Sequence, residues 1–575
     1  MSNFYKDNSD ILFHMKNMDL SWVVDLKEDG FADKGKYSYA PEDYDDAIDN
    51  YGRVLEIVGE IAGEFVAPRS SAVDEESAQY KDGEVIYAKG TAEAIDRINK
   101  ADLAGFTVPR KYDGINMPIT IYSAAIEMIS RADASFMNLF GLQGIADTIT
   151  KFASEDQKRR YLPRFSSGEV MGSMALTEPD AGSDLQAVML KATEGKDGKW
   201  HLNGVKRFIT NGCAKISLVM ARSEEGTKGG RGISLFIYER DENMKIRRIE
   251  HKLGIKGSPT CELQFNNAEA ELLGKRKMGL IKYTMYLMNG ARIAISAQAV
   301  GIAEAAYREA DSYSRQRVQF KKAIRDFSAV YEMLTDMKVN IEAGRTLLYE
   351  TSRIVDIKEG LEDKIDDHPE SAGDLKGEFK RYSKYASLFT PIVKGYTCEM
   401  ANKVCYDAIQ IHAGVGFTCE FNVERHYRDV RITNIYEGTT QLQVVAAIGG
   451  VIGGVVFERL GEYEKNYDFQ PVSDLFAIIR EFRTQLESAV SHVKDKGDSN
   501  YQEFHAKRLV DMATDTILSY LLCIDAIKSE RKKKVAQLFI SKAKHRIESD
   551  LDYVLSNDDC YIELHKDIID SEEIV

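Results

Sequence analysis

Two stretches far apart in the chain combine residue types that can do chemistry. Near the three-quarter point runs Arg428-Asp-Val-Arg-Ile-Thr-Asn-Ile-Tyr-Glu-Gly-Thr-Thr-Gln-Leu-Gln443. Its β-branched part, Val430 to Ile435, reads as an extended run that breaks at Tyr436-Glu437-Gly438. Thr439 and Thr440 are good N-cap types and open a helix. A carboxylate at such a junction can point into a cleft instead of lying along a solvated helix face. Apolar surroundings would raise its pKa toward working pH, which makes Glu437 a general-base candidate. A lone Glu beside a Gly is more often an ordinary surface residue, so the rest of the chain has to decide.

The second stretch is Met174-Ala-Leu-Thr-Glu-Pro-Asp-Ala-Gly-Ser-Asp184. A strand ends at Thr177, and Pro179 and Gly182 force a tight loop crowded with hydroxyls and backbone N–H groups, which suits a polar cofactor edge or a pyrophosphate. Further on, Val205-Lys-Arg-Phe-Ile-Thr-Asn-Gly212 sets Phe208 and Thr210 two apart on one strand face. An aromatic plate beside a hydroxyl donor suits a planar heteroaromatic ring. No G-x-G-x-x-G follows a strand and there is no P-loop, H-E-x-x-H or other clustered metal-ligand spacing, so neither a Rossmann site, a P-loop nor a metal centre is supported.

The elements that position these stretches follow from periodicity. Residues 1–50 are rich in Asp and Tyr and give no assignment. Residues 51–168 show helical spacing (Val54, Ile57, Val58, Ile61, Phe65; Thr91 to Leu103; Ile119 to Ser135), which predicts an all-helical domain. Residues 169–280 break into short alternating runs with turn residues between them, predicting a small antiparallel β-domain. Helical spacing returns over 281–448, with charged Lys358 to Glu378 expected as a mobile solvated loop. Residues 449–575 follow a glycine hinge at 449–454 and a polar linker at 461–471, and read as an extra helical domain from Ser473 to about Leu564. Its basic stretch Lys528 to Lys534 is expected as a solvated helix face rather than a membrane-binding one.

Bulk properties exclude several classes. A formal charge of -15 over 575 residues argues against a general nucleic-acid binder. Seven scattered cysteines without a C-x-x-C pair read as reduced thiols. Met1 to Met15 carry no long apolar run, and Val444 to Phe457 is too short and glycine-broken to span a bilayer. The expectation is a soluble cytoplasmic protein without an integral membrane segment.

Taken together and in order, the pieces resemble the acyl-CoA dehydrogenase flavoproteins over roughly residues 50–450. The most specific matches are Leu176 to Asp184, Phe208-Ile-Thr-Asn-Gly212, Arg315-Gln-Arg-Val-Gln-Phe320, Gln410-Ile-His-Ala-Gly-Val-Gly416 and Ile435-Tyr-Glu-Gly-Thr439. Glu250 to Thr260 and the extra C-terminal segment resemble the long subgroup of that family. The resemblance implies a mainly α protein: N-terminal helical domain, middle β-domain and C-terminal four-helix bundle, with FAD held between them and one more helical domain behind. Glu437 would take the substrate α-proton while the β-hydride goes to flavin N5. The thioester carbonyl would be held by the Glu437 N–H and a ribityl hydroxyl.

Leu176, Thr177, Phe208, Ile209 and Thr210 align with residues around the isoalloxazine, Phe208 standing where Trp is common. Ser183 aligns with cofactor and CoA contacts; Asn289, in place of a usual Asp, and Arg292 align with the CoA arm, with Tyr436 and Gly438 beside the acyl group. Arg317, Gln319, Phe320, Gln410 and Gly414 align with residues that reach the FAD of a neighbouring subunit, and Thr439 and Gln441 with the site's own FAD contacts. This implies a homo-oligomer; the extra domain, which would cover a tetramer surface, points to a dimer. Electrons would pass to an electron-transfer flavoprotein. Lys321 departs from the Phe-Gly-Lys pattern, and Ala291 occupies the place from which some relatives supply the base. The alternatives are an acyl-CoA oxidase that reoxidises flavin with oxygen, and a non-enzymatic, nucleic-acid-associated relative.

Overall fold

The computed structural model describes residues 2–196, 198–370 and 373–570. The stretch left unassigned at the N-terminus is ordered. Helices α1 (Ser9–Asn17) and α2 (Ser21–Lys27) precede α3 (Tyr44–Glu60). Asn8 caps α1 by accepting from the N–H groups of Asp10 and Ile11. The helical series continues with α4 (Ser70–Glu76), a hairpin of β1 (Gln79–Lys81) and β2 (Glu84–Ile86), then α5 (Lys89–Lys100), α6 (Ile119–Ala132), α7 (Ala134–Gly141), α8 (Ile145–Phe152) and α9 (Glu155–Ser166). Helix α6 is buried on nearly every side and forms the middle of this layer. A reciprocal capping box between Ser154 and Gln157 starts α9.

The sheet contains β3 (Gly172–Ala175), β4 (Lys191–Glu194), β5 (Trp200–Thr210), β6 (Ile216–Arg222), β7 (Ile233–Glu239), β8 (Met244–Ile249) and β9 (Thr260–Leu273). Its order is β3-β6-β4-β5-β9-β7, with β8 on β9, and β7 pairs back onto β6. All pairings are antiparallel except those of β3 and the start of β4 with β6. Strand β6 is buried on both faces. Ile216, Leu218 and Met220 pack with Ile145 and Leu162 of the helical layer, while Val219 and Ala221 join Trp200, Phe236 and Phe265 on the other side. Such two-sided burial erases the alternation that marks a half-buried strand.

The bundle consists of α10 (Met285–Gln316), a hairpin of β10 (Val318–Gln319) and β11 (Lys322–Ala323), α11 (Ser328–Asp367), α12 (Leu375–His412), α13 (Val423–Val430) and α14 (Thr440–Ile452). Two expectations are corrected here. Lys358 to Glu378 is not a loop: α11 continues to Asp367 and α12 starts at Leu375, leaving 368–374 between them, of which 371 and 372 lie outside the described residues. Leu361 is fully buried, and Gly360 lies so close to α2 that a Cβ would meet Leu26 at 2.6 Å, so packing outweighs the charge pattern. Nor is Val430–Ile435 extended. It leaves α13 through turns in which the N–H groups of Thr433 and Tyr436 reach the carbonyls of Val430 and Ile432, and among the described residues no strand pairs with it.

Beyond α14 the chain bends by 66° at Gly453-Gly454 into α15 (Val455–Asn466), so Gly461 is helical and the expected linker shrinks to 467–472. Then come α16 (Ser473–Lys496), α17 (Ser499–Lys528), α18 (Glu530–Leu555) and α19 (Cys560–Asp570). The basic stretch is a solvated face only in part: Lys528, Arg531 and Lys534 are exposed, but one lysine turns inward. Lys532 is only 2 % exposed and binds Asp10 of α1 and, at 3.0 Å, Glu342 of α11. Arg531 also grips Glu342, at 2.5 Å. One apolar core runs through the N-terminal layer, the bundle and the C-terminal helices, and the ion pairs pin the three together. Among the described residues no single helix is long and apolar enough to cross a membrane.

Candidate active site

The turn between α13 and α14 is built from two consecutive left-handed residues, Glu437 (φ 55°) and Gly438 (φ 93°). A Cβ on residue 438 would come within 2.7 Å of the Gln443 amide, so glycine is required there. For Glu437 the left-handed conformation costs about 1–2 kcal/mol, and the neighbours that hold it are on the page. Gln443 Nε2 donates to the carbonyls of Glu437 (3.4 Å) and Gly438 (2.9 Å). Lys394 Nζ of α12 donates to Gly438 O at 2.6 Å, and Arg292 Nε of α10 to Glu437 O at 3.4 Å. Thr439 then caps α14 by accepting from the Leu442 N–H at 3.4 Å.

Two cations and one amide therefore hold the Glu437–Gly438 backbone, while the Glu437 carboxylate has no hydrogen-bond partner among the described residues, and neither does its N–H. Burial pushes the carboxyl above the ordinary glutamate value, against the pull of Arg292 and Lys394. Burial lowers both of those cations in turn. The result is a desolvated carboxylate without a fixed proton or donor, beside a free N–H. This arrangement can accept a proton at one atom and hold a developing oxyanion at another.

Tyr436 anchors the other side. Its hydroxyl meets Gln298 Oε1 of α10 and Asn138 Oδ1 of α7 (3.3 Å), and Gln298 Nε2 donates to Asn138 Oδ1 (3.0 Å) and Ala134 O (2.9 Å). Asn138 Nδ2 donates in turn to Ser258 Oγ at 3.3 Å, just before β9. The segment 250–258 thus ties the sheet to the turn. Ile255 N donates to Asp429 Oδ1 at 2.5 Å, and a Cβ on Gly254 would collide with the Arg428 backbone at 2.6 Å. Burial pushes Asp429 up to about 6.

On the sheet, Thr210 pairs with Thr260, and a bulge between Lys206 and Ile209 turns Phe208 into left-handed φ 61°. The Phe208 ring is 52 % exposed, with the Arg207 guanidinium 4.7 Å from its centre. The Arg207 N–H donates to Thr177 O at 2.9 Å, bringing the first loop beside β5. Buried Lys206 reaches Leu176 O at 2.7 Å and Glu178 Oε1 at 2.8 Å, and Glu178 accepts from the N–H groups of Met189 and Leu190, closing the loop. Leu176 and Ile209 point into the cores, so only their backbone groups can meet a ligand.

The structure connects Tyr436, Glu437, Gly438, Arg292 and, through Arg292 Nη1 at 3.0 Å, Asn289 into one cluster. It joins Leu176, Thr177, Phe208, Ile209 and Thr210 into a second group on the sheet. Ser183 is exposed on its loop, and Gln441 is exposed on α14. Arg317, Gln319 and Phe320 project from the β10–β11 hairpin, with Phe320 89 % exposed; Gln410 and Gly414 are exposed at the end of α12. None of these five touches the Glu437 turn among the described residues. Asn138, Gln298, Lys394 and Gln443 were missed in the sequence. Each is a lone polar residue on a helix whose partner is distant or a backbone carbonyl, and no spacing announces it.

The half-exposed Phe208 ring beside the half-buried Thr177 and Thr210 hydroxyls fits a flat, hydrogen-bonding ring system such as a flavin. A helical layer, a closed sheet and a helical bundle meet at the half-buried Glu437 carboxylate. The N-terminal, middle and C-terminal domains of acyl-CoA dehydrogenase match residues 53–169, 173–268 and 281–448, and a further acyl-CoA dehydrogenase C-terminal region matches 453–558. The 3-methylmercaptopropionyl-CoA dehydrogenase of Ruegeria pomeroyi is 34 % identical over 447 residues, covering 72 % of this chain and 73 % of that one. A crystal structure of an acyl-CoA dehydrogenase complexed with FAD from Bacillus anthracis superposes with a TM-score of 0.74 at 25 % identity, over 90 % of this chain and 89 % of that one. A chain from a structure of the electron transferring flavoprotein of Acidaminococcus fermentans gives 0.61 at 32 % identity, over 70 % and 97 %. The chain belongs to the acyl-CoA dehydrogenase family. It is an oxidoreductase that acts on acyl-CoA and uses FAD.

Proposed function

We propose that the protein desaturates an acyl-CoA thioester between Cα and Cβ, with Glu437 as the only base, and that it works as a homodimer passing electrons to an electron-transfer flavoprotein. The observation that carries this reading is the Glu437 turn: a desolvated carboxylate without donors, on a backbone held from three helices. Glu437 takes the α-proton onto a carboxylate oxygen. Its own N–H faces the thioester oxygen and favours the negative charge that grows there as the proton leaves. FAD, when bound, supplies the two-electron acceptor for the hydride that leaves Cβ. Thr177, Thr210 and the face of Phe208 would hold its ring, with backbone groups of Leu176 and Ile209, and Thr439 and Gln441 its chain. Ser183, Asn289 and Arg292 are placed to hold the CoA arm, and Tyr436 and Gly438 to flank the acyl group. Ala291, the residue just before Arg292 on the same helix, cannot act as a base.

The exposed hairpin supports the dimer. Phe320 and Phe417 are 89 % and 87 % exposed, an expensive display of aromatic surface unless a second copy covers it. With Arg317, Gln319, Gln410 and Gly414 they would then complete the partner's FAD site. The free cysteines fit a reducing compartment such as the cytoplasm. The test is a visible spectrum of the purified protein followed by anaerobic addition of a panel of acyl-CoA thioesters. Bleaching by one thioester, with reoxidation by electron-transfer flavoprotein and negligible oxygen uptake, is expected. A colourless protein that cannot be loaded with FAD would overturn the reading, and rapid oxygen consumption would make it an oxidase.

A further inference from the structure

The catalytic reading uses none of the cysteines, yet two of them meet at the end of the strand that carries Thr210. Strand β5 stops at Thr210, and the chain turns through Asn211-Gly212-Cys213 before β6. Beside that end runs β9, where Thr260 pairs with Thr210 and Cys261 with Ile209. The turn folds back onto β9: the Gly212 N–H donates to Ile209 O at 3.1 Å, and a Cβ on residue 212 would come within 2.8 Å of Cys261 Cβ. Glycine at 212 lets the turn close over Cys261. Cys213 then packs against the same apolar cluster that contains Cys261, and the two thiols share a hydrogen bond. Left-handed Asn211 (φ 53°) fixes the turn. Its N–H donates to Pro259 O at 2.7 Å, its carbonyl accepts from the Ala214 N–H at 2.8 Å, and its Nδ2 donates to Gly172 O at 3.1 Å.

The two thiols are not equivalent. Cys261 is fully buried, whereas Cys213 is partly exposed. The Tyr87 hydroxyl, which donates to Asn211 Oδ1 at 2.5 Å, lies 3.3 Å from Cys213 Sγ. The Arg240 guanidinium donates to the Cys213 carbonyl at 3.2 Å. The Cys261 thiol, with Tyr87 and Arg240 behind it, holds Cys213 below the ordinary cysteine value against burial. Cys398, Cys405 and Cys523 differ: burial raises each of them. A reachable thiol beside a cation, backed by a second thiol that solvent does not reach, is the arrangement of an attacking and a resolving cysteine.

We propose that Cys213 and Cys261 are an oxidation site that closes into a reversible disulfide when the protein meets a hydroperoxide. The Cys213 thiolate attacks one peroxide oxygen, the O–O bond breaks, and the other oxygen leaves, protonated, as water or an alcohol. Cys213 is then a sulfenic acid. The Cys261 sulfur attacks it, the S–O bond breaks, and the hydroxyl departs with the Cys261 proton as water. The two thiols lose two electrons and the hydroperoxide gains them. In a reducing compartment such a bridge is transient. It ties the turn directly after Thr210 to the strand that carries Thr260.

The test treats the full-length, flavin-loaded protein with a small excess of hydrogen peroxide, alkylates the remaining thiols in denaturant and digests with trypsin without reduction. Cleavage after Arg207, Lys215, Lys256 and Lys275 leaves each cysteine in its own peptide, 208–215 and 257–275. The expected product is these two peptides joined, and parted again by dithiothreitol. In Cys261→Ser the resolving thiol is gone, and Cys213 should stop at a sulfenic acid that dimedone labels. In Cys213→Ser, Cys261 should stay reduced. The proposal is overturned if exposed Cys419 and Cys560 are oxidised while both peptides are recovered alkylated, or if the linked pair forms only in unfolded protein. Oxidation of Cys261 in Cys213→Ser as fast as in the parent would overturn it too. The readout is mass, so it stands or falls independently of the catalytic assignment.

Discussion

Glu437 and Asp10 are carboxylates beside an arginine and a lysine, Asp10 fully buried and Glu437 half-buried, yet the cations reach them differently. At Asp10 both bind the side chain: Arg345 Nη1 lies 2.5 Å from one oxygen and Lys532 Nζ grips the other. At Glu437 both bind backbone instead, Arg292 its own carbonyl and Lys394 that of Gly438. Burial alone would raise both acids. At Asp10, Lys532 and Arg345 outweigh it and hold the carboxyl well below the usual range; at Glu437 burial prevails and the carboxyl rises. The same kit of residues fixes a charge in one place and leaves a proton exchangeable in the other, according to which oxygen it is bonded to. Asp10 thereby joins α1, α11 and α18, whereas Glu437 is left free to react.

The largest effect that could break this contrast is on turnover. Glu437→Gln should lower kcat by at least about 10³-fold, within the range of general-base contributions, while the protein stays yellow and melts no earlier, since a desolvated charge has been removed. Arg345→Met should do the reverse. It strands Asp10, Glu127 and Glu304 around a fully buried site and should cost about 3–5 kcal/mol in denaturant unfolding, with kcat per folded active site unchanged.

Lys394→Met sharpens the comparison. Glu437 must be ionised to act, so kcat/KM rises with pH through its pKa, and the acid limb should lie above the ordinary glutamate value of 4.5. Removing Lys394 takes away a charge that lowers this pKa, so the limb should move to higher pH in a pH–rate profile. The smallest effect lies away from both clusters. Lys321 sits at φ 69° in the β10–β11 turn, where glycine is the relaxed choice. Lys321→Gly should therefore stabilise the hairpin by up to about 1 kcal/mol, offset in part by glycine's greater unfolded entropy, read as a small rise in melting temperature.

The Glu437 break and the Thr439 cap were legible because Gly438 permits a left-handed turn and a Thr follows it in the N-cap position. The approach to them was not. Val430 to Ile435 has the composition of a strand, but strands exist only by pairing, and among the described residues no strand pairs with it. Lys358 to Asp367 has the charge of a loop, yet it stays helical because Gly360 and Leu361 pack against the rest of the chain. The basic start of α18 looked solvated because its acidic partners, Asp10 and Glu342, lie hundreds of residues away in sequence. The residues that hold the Glu437 backbone were hidden for a similar reason, since Lys394 contacts a carbonyl 44 residues away, and any residue type supplies a carbonyl.

The most direct test of the central claim separates proton removal from hydride transfer. A thioester with α-hydrogens and a quaternary β-carbon can lose a proton but cannot be desaturated. Incubated in D₂O with the wild-type protein and followed by proton NMR, its α-signal should decay as deuterium enters from solvent, faster as pH rises through the Glu437 pKa. With Glu437→Gln the signal should persist. Equal exchange in the two proteins would show that another group takes the α-proton, and would contradict the account.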